Sequence, residues 1–411
     1  MSVWDFVEYE SLAAKEKSSF SMGPFGSKIT KNHYVNHGIP LIRGNNLSRG
    51  IFVDDGFVFI TSEKADEIMS ANVKPGDIIF THRGTIGQVT MVPRSPKHDR
   101  YAIGSSQVKT RLDENLALPE FYYYWFRSPE GQRSILAHTS TVGVPGIATP
   151  LSTIRKLKVP RPPIKEQQNI AAALGALDDK IAVNERILIT YEAMIQAQFD
   201  HIISTEQGEQ EPEVLITELV EFNPKMGKPT EEDAVYVDMA ALPTDRSLIS
   251  TWGHRKPKSG SRFINGDTLM ARITPCLENG KTGYVDFMRD GQVGMGSTEF
   301  IVMRSRPGIP REFSYFLARN KKFRSHAIQK MAGTSGRQRV SAADASEFFV
   351  RQPTEEEISA FGERASESFS HMKSLTVESR TLAELRDTLL PQLMSGKLRV
   401  KDAEKLVEDA T

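Results

Sequence analysis

Residues 163–199 read PIKEQQNIAAALGALDDKIAVNERILITYEAMIQAQF. Apolar side chains return at Ile170, Leu174, Leu177, Ile181, Leu188, Tyr191 and Ile195, and again at Ile202, in steps of four and three, with Asn184 and Gln198 in register. This spacing predicts a helix with a coiled-coil seam. Pro163 suits its first turn. Roughly 35 helical residues at about 1.5 Å each make a rod of about 50 Å, longer than one small domain needs. Such a rod can act as a spacer.

A seam needs a cover. Ile358, Phe361, Ala365, Met372, Leu375, Leu382 and Leu389 carry a similar but weaker heptad, interrupted by Ser368 and Ser379. Pro391 is expected to end or kink this second helix. The two helices are expected to pair antiparallel, each covering the other's seam; the alternative is that each packs on its own domain as a core helix. Asn184 either sets the register of the pair or faces solvent.

Each helix follows a copy of one repeated pattern, offset by about 190 residues, too long a period for a solenoid. Gly38 to Arg43, running on to Leu47, resembles Ala234 to Met239, running on to Leu242. Lys74 to Phe80 resembles Ile264 to Met270, a Gly-Asp turn feeding a buried strand. Thr85 to Val89 is answered by Lys281 to Val285, and Gly104 to Val108 by Gly296 to Phe300. An aromatic helical patch follows in each copy, Phe121 to Phe126 and Phe313 to Phe316. Then come a Thr/Gly loop, Thr139 to Gly146 or Thr334 to Arg339, and a strand ending in proline at Pro163 or Pro353. Seven matches in one order indicate duplicated domains.

The chain has 411 residues, 39% hydrophobic and 25% charged, enough for two or three soluble domains. Its net charge of zero hides an alternation: +5 over residues 1–163, −6 over 164–212, +5 over 213–352 and −4 over 353–411. A polyanion would be drawn to the two basic blocks and repelled by the acidic ones. The single cysteine, Cys276, excludes a disulfide framework and a thiolate zinc cage. No export signal or run of about 18 apolar residues is visible, so the chain reads as cytoplasmic and not membrane-bound.

Catalytic machinery is missing from the pattern, and no catalytic residue is assigned. Asn223-Pro224-Lys225-Met226 lacks the second proline and the aromatic residue that an amino-methyltransferase uses to grip its target amine. In Pro275 to Thr282 a proline replaces the first glycine of a nucleotide-binding loop, so a turn is expected there. Asp178-Asp179-Lys180 carries half of a nuclease motif but sits on the seam helix, where a solvated face is the simpler reading. The nine histidines show no metal-ligand spacing, and no metal is expected.

The arrangement resembles the specificity (S) subunits of type I restriction-modification systems. Its most specific parts are Pro163 to Phe199, with Glu166-Gln167, Leu177 to Ile181 and Asn184 to Ile187, and the closing Leu389 to Leu398, Leu-Leu-Pro-Gln-Leu-Met-Ser-Gly-Lys-Leu. The polar stretch Glu8 to Ser19 departs from the usual hydrophobic entry into the first domain. The resemblance implies an α+β chain: two similar target recognition domains, each a mixed or mostly antiparallel sheet with helices, separated by two long helices in an antiparallel coiled coil. The domains fall at 1–163 and 213–352. The central helix region is 164–212, and 353–411 holds the distal helix and tail. It further implies double-stranded DNA as ligand, two methylase subunits docked on the helices, and two restriction/translocase subunits. S-adenosylmethionine, ATP and Mg would be bound by those partners, and no cofactor by this subunit.

Arg, Asn and Gln pair bidentately with bases, and glycine lets a backbone approach closely. On that ground the expected DNA contacts in the first domain are Arg43, Asn45, Asn46, His82, Arg83, Thr85, Ser106, Gln107 and the loop Gly143 to Gly146. His82 has the alternative of an ordinary buried histidine. In the second domain they are Arg272, Thr274, Lys281, Thr298, Arg337, Gln338 and Arg339. For subunit docking the helix positions are Leu174, Leu177, Ile181, Asn184, Leu188, Tyr191, Leu375, Leu382 and Leu389. Open alternatives are a fused methylase-nuclease partner, a DNA-binding module unrelated to restriction, and a scaffold that binds no DNA.

Overall fold

Strand Ile78–Thr81 is buried at all four residues, and its run of apolar side chains is what a strand covered on both faces requires. Ile78 and Phe80 point into a core shared with aromatic helices, while Ile79 points into a second core on the other side of the sheet. The computed structural model describes residues 4–140, 143–204, 212–334 and 336–403. Thr141 and Val142 of the first Thr/Gly loop, Ser335 of the second, residues 205–211 and residues 404–411 of the tail lie outside the described residues. The chain divides into two units, Met1–Ile181 with Arg380–Thr411, and Ala182–Ser379. The division falls inside both long helices, so each unit takes half of each.

In the first unit one antiparallel sheet has the order Phe20–Met22, Gln107–Thr110, Ile78–Thr81, Val89–Met91. The second is mixed, in the order Val58–Ile60, Ile39–Ile42, Tyr101–Ile103, Asn72–Val73, with its two middle strands parallel. The second unit repeats both. Its antiparallel sheet runs Val220–Phe222, Phe300–Ser305, Thr268–Ala271, Thr282–Tyr284. Its mixed sheet runs Gly253–Arg255, Ala234–Val237, Gly294–Gly296, Ser261–Phe263, again with a parallel central pair. In each copy the Gly-Asp turn needs its glycine, since Gly76 has φ +85° and Gly266 φ +88°.

Helix Pro119–Arg127 covers the antiparallel sheet of the first unit and buries Phe121, Tyr122, Tyr124, Trp125 and Phe126. Edge-to-face ring contacts join Phe126 to Tyr9 and Phe80 at 4.9 and 4.8 Å. In the second unit helix Phe313–Arg319 does the same work.

The central helix, Ile164–Ile202, and the distal helix, Glu355–Met394, satisfy both expectations raised for their seams at once. In the first unit Ile170, Leu174 and Leu177 share a core with Leu382, Leu389 and Leu393 and also with Tyr124 and Trp125. In the second unit Ile195, Phe199 and Ile202 meet Phe361, Ala365 and Met372 together with Phe313 and Phe316. The polar contacts run in opposite senses along the two helices: Asp178 to Arg386 in the first unit, Asn184 to Glu378 and Tyr191 to His371 in the second. The pairing is therefore antiparallel. Pro391 does not end the distal helix, which continues to Met394. So near the terminus a proline forfeits a single backbone bond.

Candidate nucleic-acid interface

The loops that leave the C-terminal ends of Ile39–Ile42 and Ile78–Thr81 meet the turn that enters Gln107–Thr110. Four backbone hydrogen bonds join them to one another and to the Thr/Gly loop: Gly104 N–H to Ile42 O (2.8 Å), His82 N–H to Ser106 O (2.9 Å), Ile147 N–H to His82 O (3.0 Å) and Gly84 N–H to Pro145 O (2.9 Å). The second copy makes the same four. They are Ser297 to Val237 (3.2 Å), Arg272 to Glu299, Val340 to Arg272 and Thr274 to Gln338 (each 3.0 Å). Each unit thus gathers four sequence-distant loops into one face held by backbone hydrogen bonds.

In the first unit Asn45, Arg83, Thr85 and Gly143 are exposed on this face, and Ser106 is half-buried. Gly146 pairs with Arg83 as an isolated bridge. Three expected contact residues are instead spent inside. Asn46 is 1% exposed; its Oδ1 accepts from Arg43 N–H and its Nδ2 donates to the Val53 and Asp55 carbonyls. Gln107, also 1% exposed, has its amide between the Gly44 N–H and the Gly104 carbonyl and bonds both at 3.3 Å when its oxygen is turned to the N–H and its nitrogen to the carbonyl. His82 is buried, its Nε2 donates to Ser105 O at 3.1 Å, and burial holds its pKa below the ordinary imidazole value. These three build the face. Arg43 is half-buried, with an Nε that finds no acceptor among the described residues.

In the second unit Thr298 and Arg337 are exposed, and Arg272, Thr274 and Gln338 are half-buried. Arg272 Nε is buried without an acceptor among the described residues. Arg339 does not offer a free guanidinium: it grips Glu299 through Nε and Nη2 at 2.8–3.0 Å and holds that carboxyl below the usual carboxylate range. Lys281 donates to the Met239 carbonyl at 2.7 Å and ties down the loop after Ala234–Val237. One exposed apolar side chain was not anticipated from sequence, Phe25, with its ring 6.2 Å from that of His82; only its place among turn residues marked it. Val144, in the expected loop Gly143 to Gly146, is exposed as well.

The helix residues expected to dock partners form the seam. Leu174, Leu177, Leu375, Leu382 and Leu389 are buried, and Ile181, Leu188 and Tyr191 are half-buried. Asn184 is fully buried, its Nδ2 donating to Glu378 Oε2 at 2.8 Å and to Ser379 Oγ at 3.2 Å. Of its two expected places it takes the seam. Exposed apolar side chains on the same helices are Val183, Ile189, Met194 and Val377. Among the described residues no group of three metal-ligating side chains occurs, and no helix is long and apolar enough to cross a membrane.

A family model described as "Type I restriction modification DNA specificity domain" matches residues 21–193. The chain is 28% identical over 205 residues to the type I restriction enzyme EcoAI specificity subunit of Escherichia coli, covering 47% of this chain and 34% of that protein. The EcoEI specificity subunit of the same organism is 25% identical over 203 residues, again 34% of its length. The chain thus aligns with about a third of each of these relatives. A putative type I restriction enzyme specificity subunit, MjaX of Methanocaldococcus jannaschii, is 21% identical over 393 residues, 89% of this chain and 88% of that one. The fold is similar to the crystal structure of a type I restriction-modification S subunit from M. genitalium, with a TM-score of 0.58 and 16% identity over 95% of this chain and 96% of that one. The family match begins in the first sheet strand and ends inside the central helix, so it takes in one sheet domain and the seam that follows, and the fold likeness extends over both copies. Residues 21–193 match the type I restriction modification DNA specificity domain, and over the rest of the chain the likeness is one of fold.

Proposed function

We propose that this chain reads an asymmetric, two-part DNA sequence for a type I restriction-modification complex, each of the two faces reading one half. The readers are residues 1–163 and 213–352; the helical regions 164–212 and 353–411 space them and carry the partners. The observation that carries this is the repetition of the loop junction, four equivalent hydrogen bonds in each copy, around different exposed side chains. Like frames with unlike side chains suit two unlike half-sites. Arg83, Asn45 and Thr85 in one face, and Arg337, Gln338 and Thr298 in the other, would contact base edges in the major groove, with backbone phosphates fixing register.

Two methylase subunits would dock on the exposed faces of the helices, using S-adenosylmethionine to methylate adenine, and two ATP- and Mg-dependent restriction subunits would complete the assembly. This chain would supply recognition and no chemistry, in the cytoplasm. The test is methylome mapping of a host carrying the chain with its methylase partner. A bipartite motif with an unread gap is expected, and substitution at Arg83 or Arg337 should relax one half only. A continuous motif, or methylation unchanged by both substitutions, would sink the proposal.

A further inference from the structure

The two copies differ at one connection of the mixed sheet. In the first, strand Val58–Ile60 leads into helix Ser62–Glu67 on its way to Asn72–Val73. Thr61 caps that helix, its hydroxyl accepting from Lys64 N–H at 3.2 Å. The helix is acidic, and two of its carboxylates pair with nearby cations: Asp66 with Arg100 and Glu67 with Lys64, both at 2.6 Å.

The second copy joins Gly253–Arg255 to Ser261–Phe263 without a helix, and Pro257 in the middle disfavours one. Its sequence, His254-Arg255-Lys256-Pro257-Lys258, holds three full cations and no acid. Gly253 to Lys256 and Lys258 are exposed, and Trp252 before them is 41% exposed. Gly253–Arg255 is an edge strand, so this row faces outward. The Arg255 guanidinium lies 4.0 Å over the Tyr236 ring, which orders it without neutralising it. Lys256 stands 3.5 Å from Glu232, with both side chains more than two-thirds exposed, a contact of little strength in water. Lys258 makes no ion pair among the described residues.

The ribbon ends on the loop face described above. Ser261 pairs with Gly296, and its hydroxyl donates to Phe300 O at 3.1 Å. Gly260 lies so close to the Gly296 carbonyl that a Cβ would stand 2.4 Å from its oxygen. The edge strand itself runs away from that face, with Gly253 opposite Tyr236 and Arg255 opposite Ala234, and the chain returns past Lys258 to the turn Ser297-Thr298-Glu299.

We infer that residues 254–258 are a clamp for the phosphate backbone of duplex DNA, built into the second copy alone. This rests on the DNA reading proposed above. The two half-sites are then held unequally: the second leans on charge, and the first, where the same connection is acidic, leans on side-chain contacts to bases. The ribbon sets binding strength and carries no sequence information, because phosphates are alike at every step.

The test uses the full chain and a duplex bearing its mapped motif, with affinity measured across a salt series. Each phosphate contact contributes about 0.9 to the slope of log affinity against log salt. R255A/K256A/K258A should lower that slope by about 2 to 3 and leave base preference and the unfolding midpoint unchanged; K256R/K258R should keep it. A slope equal to the wild type's, or a changed base preference, overturns the clamp while leaving the DNA reading in place. Wild-type binding that ignores salt overturns both.

Discussion

Arg111 holds Asp77 with two parallel hydrogen bonds, Nε to Oδ1 and Nη2 to Oδ2, both 2.7 Å, and Arg304 holds Asp267 with the same two bonds at the same lengths. Each aspartate is buried, 1% and 0% exposed, and also accepts a backbone N–H, from Lys74 at 2.9 Å and from Ile264 at 2.8 Å. The pair closes the Gly-Asp turn at the start of the buried strand, at the end opposite the loop face. Duplication has therefore kept a structural joint while the loops at the far end diverged.

Removing one partner of a buried pair strands the other charge, which costs about 3–5 kcal/mol. Arg304→Ala is expected to destabilise the second unit by about that much, and Arg111→Ala, whose guanidinium also bonds Glu16, the first. Urea unfolding followed by Trp125 fluorescence for the first unit and Trp252 for the second should register each loss in its own unit. Equal shifts of both signals by either substitution would show that the joint does not act locally.

Leu177 is 4% exposed, in a core with Tyr124, Trp125 and Leu382. Leu177→Ala should cost about 2–5 kcal/mol, and Leu177→Asp more, since an unpaired carboxylate would enter that core. Ile189 is 62% exposed, and Ile189→Glu should leave the unfolding curve in place. Loss of methylase binding by Ile189→Glu, with stability intact, would mark the docking face; a stability loss as large as that of Leu177→Ala would contradict the burial described.

The neighbouring arginines of the second Thr/Gly loop are predicted to behave differently. Arg337 is exposed, while Arg339 is committed to Glu299 by three hydrogen bonds. Arg337→Ala should weaken modification of cognate sites roughly 10-fold or more, as expected for a lost base contact, with no change in unfolding. Arg339→Ala removes the partner of Glu299 on the face proposed to meet DNA, and should weaken binding to every DNA sequence alike. Adding Glu299→Ala should restore part of that loss. Identical phenotypes for the two single variants would remove the distinction.

The duplication was legible because turn chemistry and apolar runs repeat in order, and the helix seam because its period survives over eight positions. What they pack against was not. Periodicity tells which side of a helix is buried and is silent on whether a partner helix, a domain or a second protein covers it, so Leu174 and Leu389 read as docking positions when they fill the core. Asn46 and Gln107 misled for a related reason: the amide that can read adenine is the amide that ties a loop to itself, and residue type alone cannot separate them. The Asp77–Arg111 joint was invisible because its members flank different strands, 34 residues apart in the chain.

His82 gives the chain a predictable response to acid. Its ring is 5% exposed, bonded through Nε2 to Ser105 O, and burial keeps its folded-state pKa below the ordinary 6.5. Unfolded, the imidazole titrates near its ordinary value. Between the two values the unfolded chain binds a proton that the folded chain does not, so stability is full above pH 6.5 and falls as the pH drops through the interval. His82→Gln keeps an amide donor for Ser105 and has no proton to take up. Unfolding measured from pH 8 to pH 5 should show wild-type stability falling away from the variant's as the pH drops below about 6.5. Parallel curves would mean that the ring is protonated in the folded loop face, and His82 would then return to the set of cations available to a phosphate.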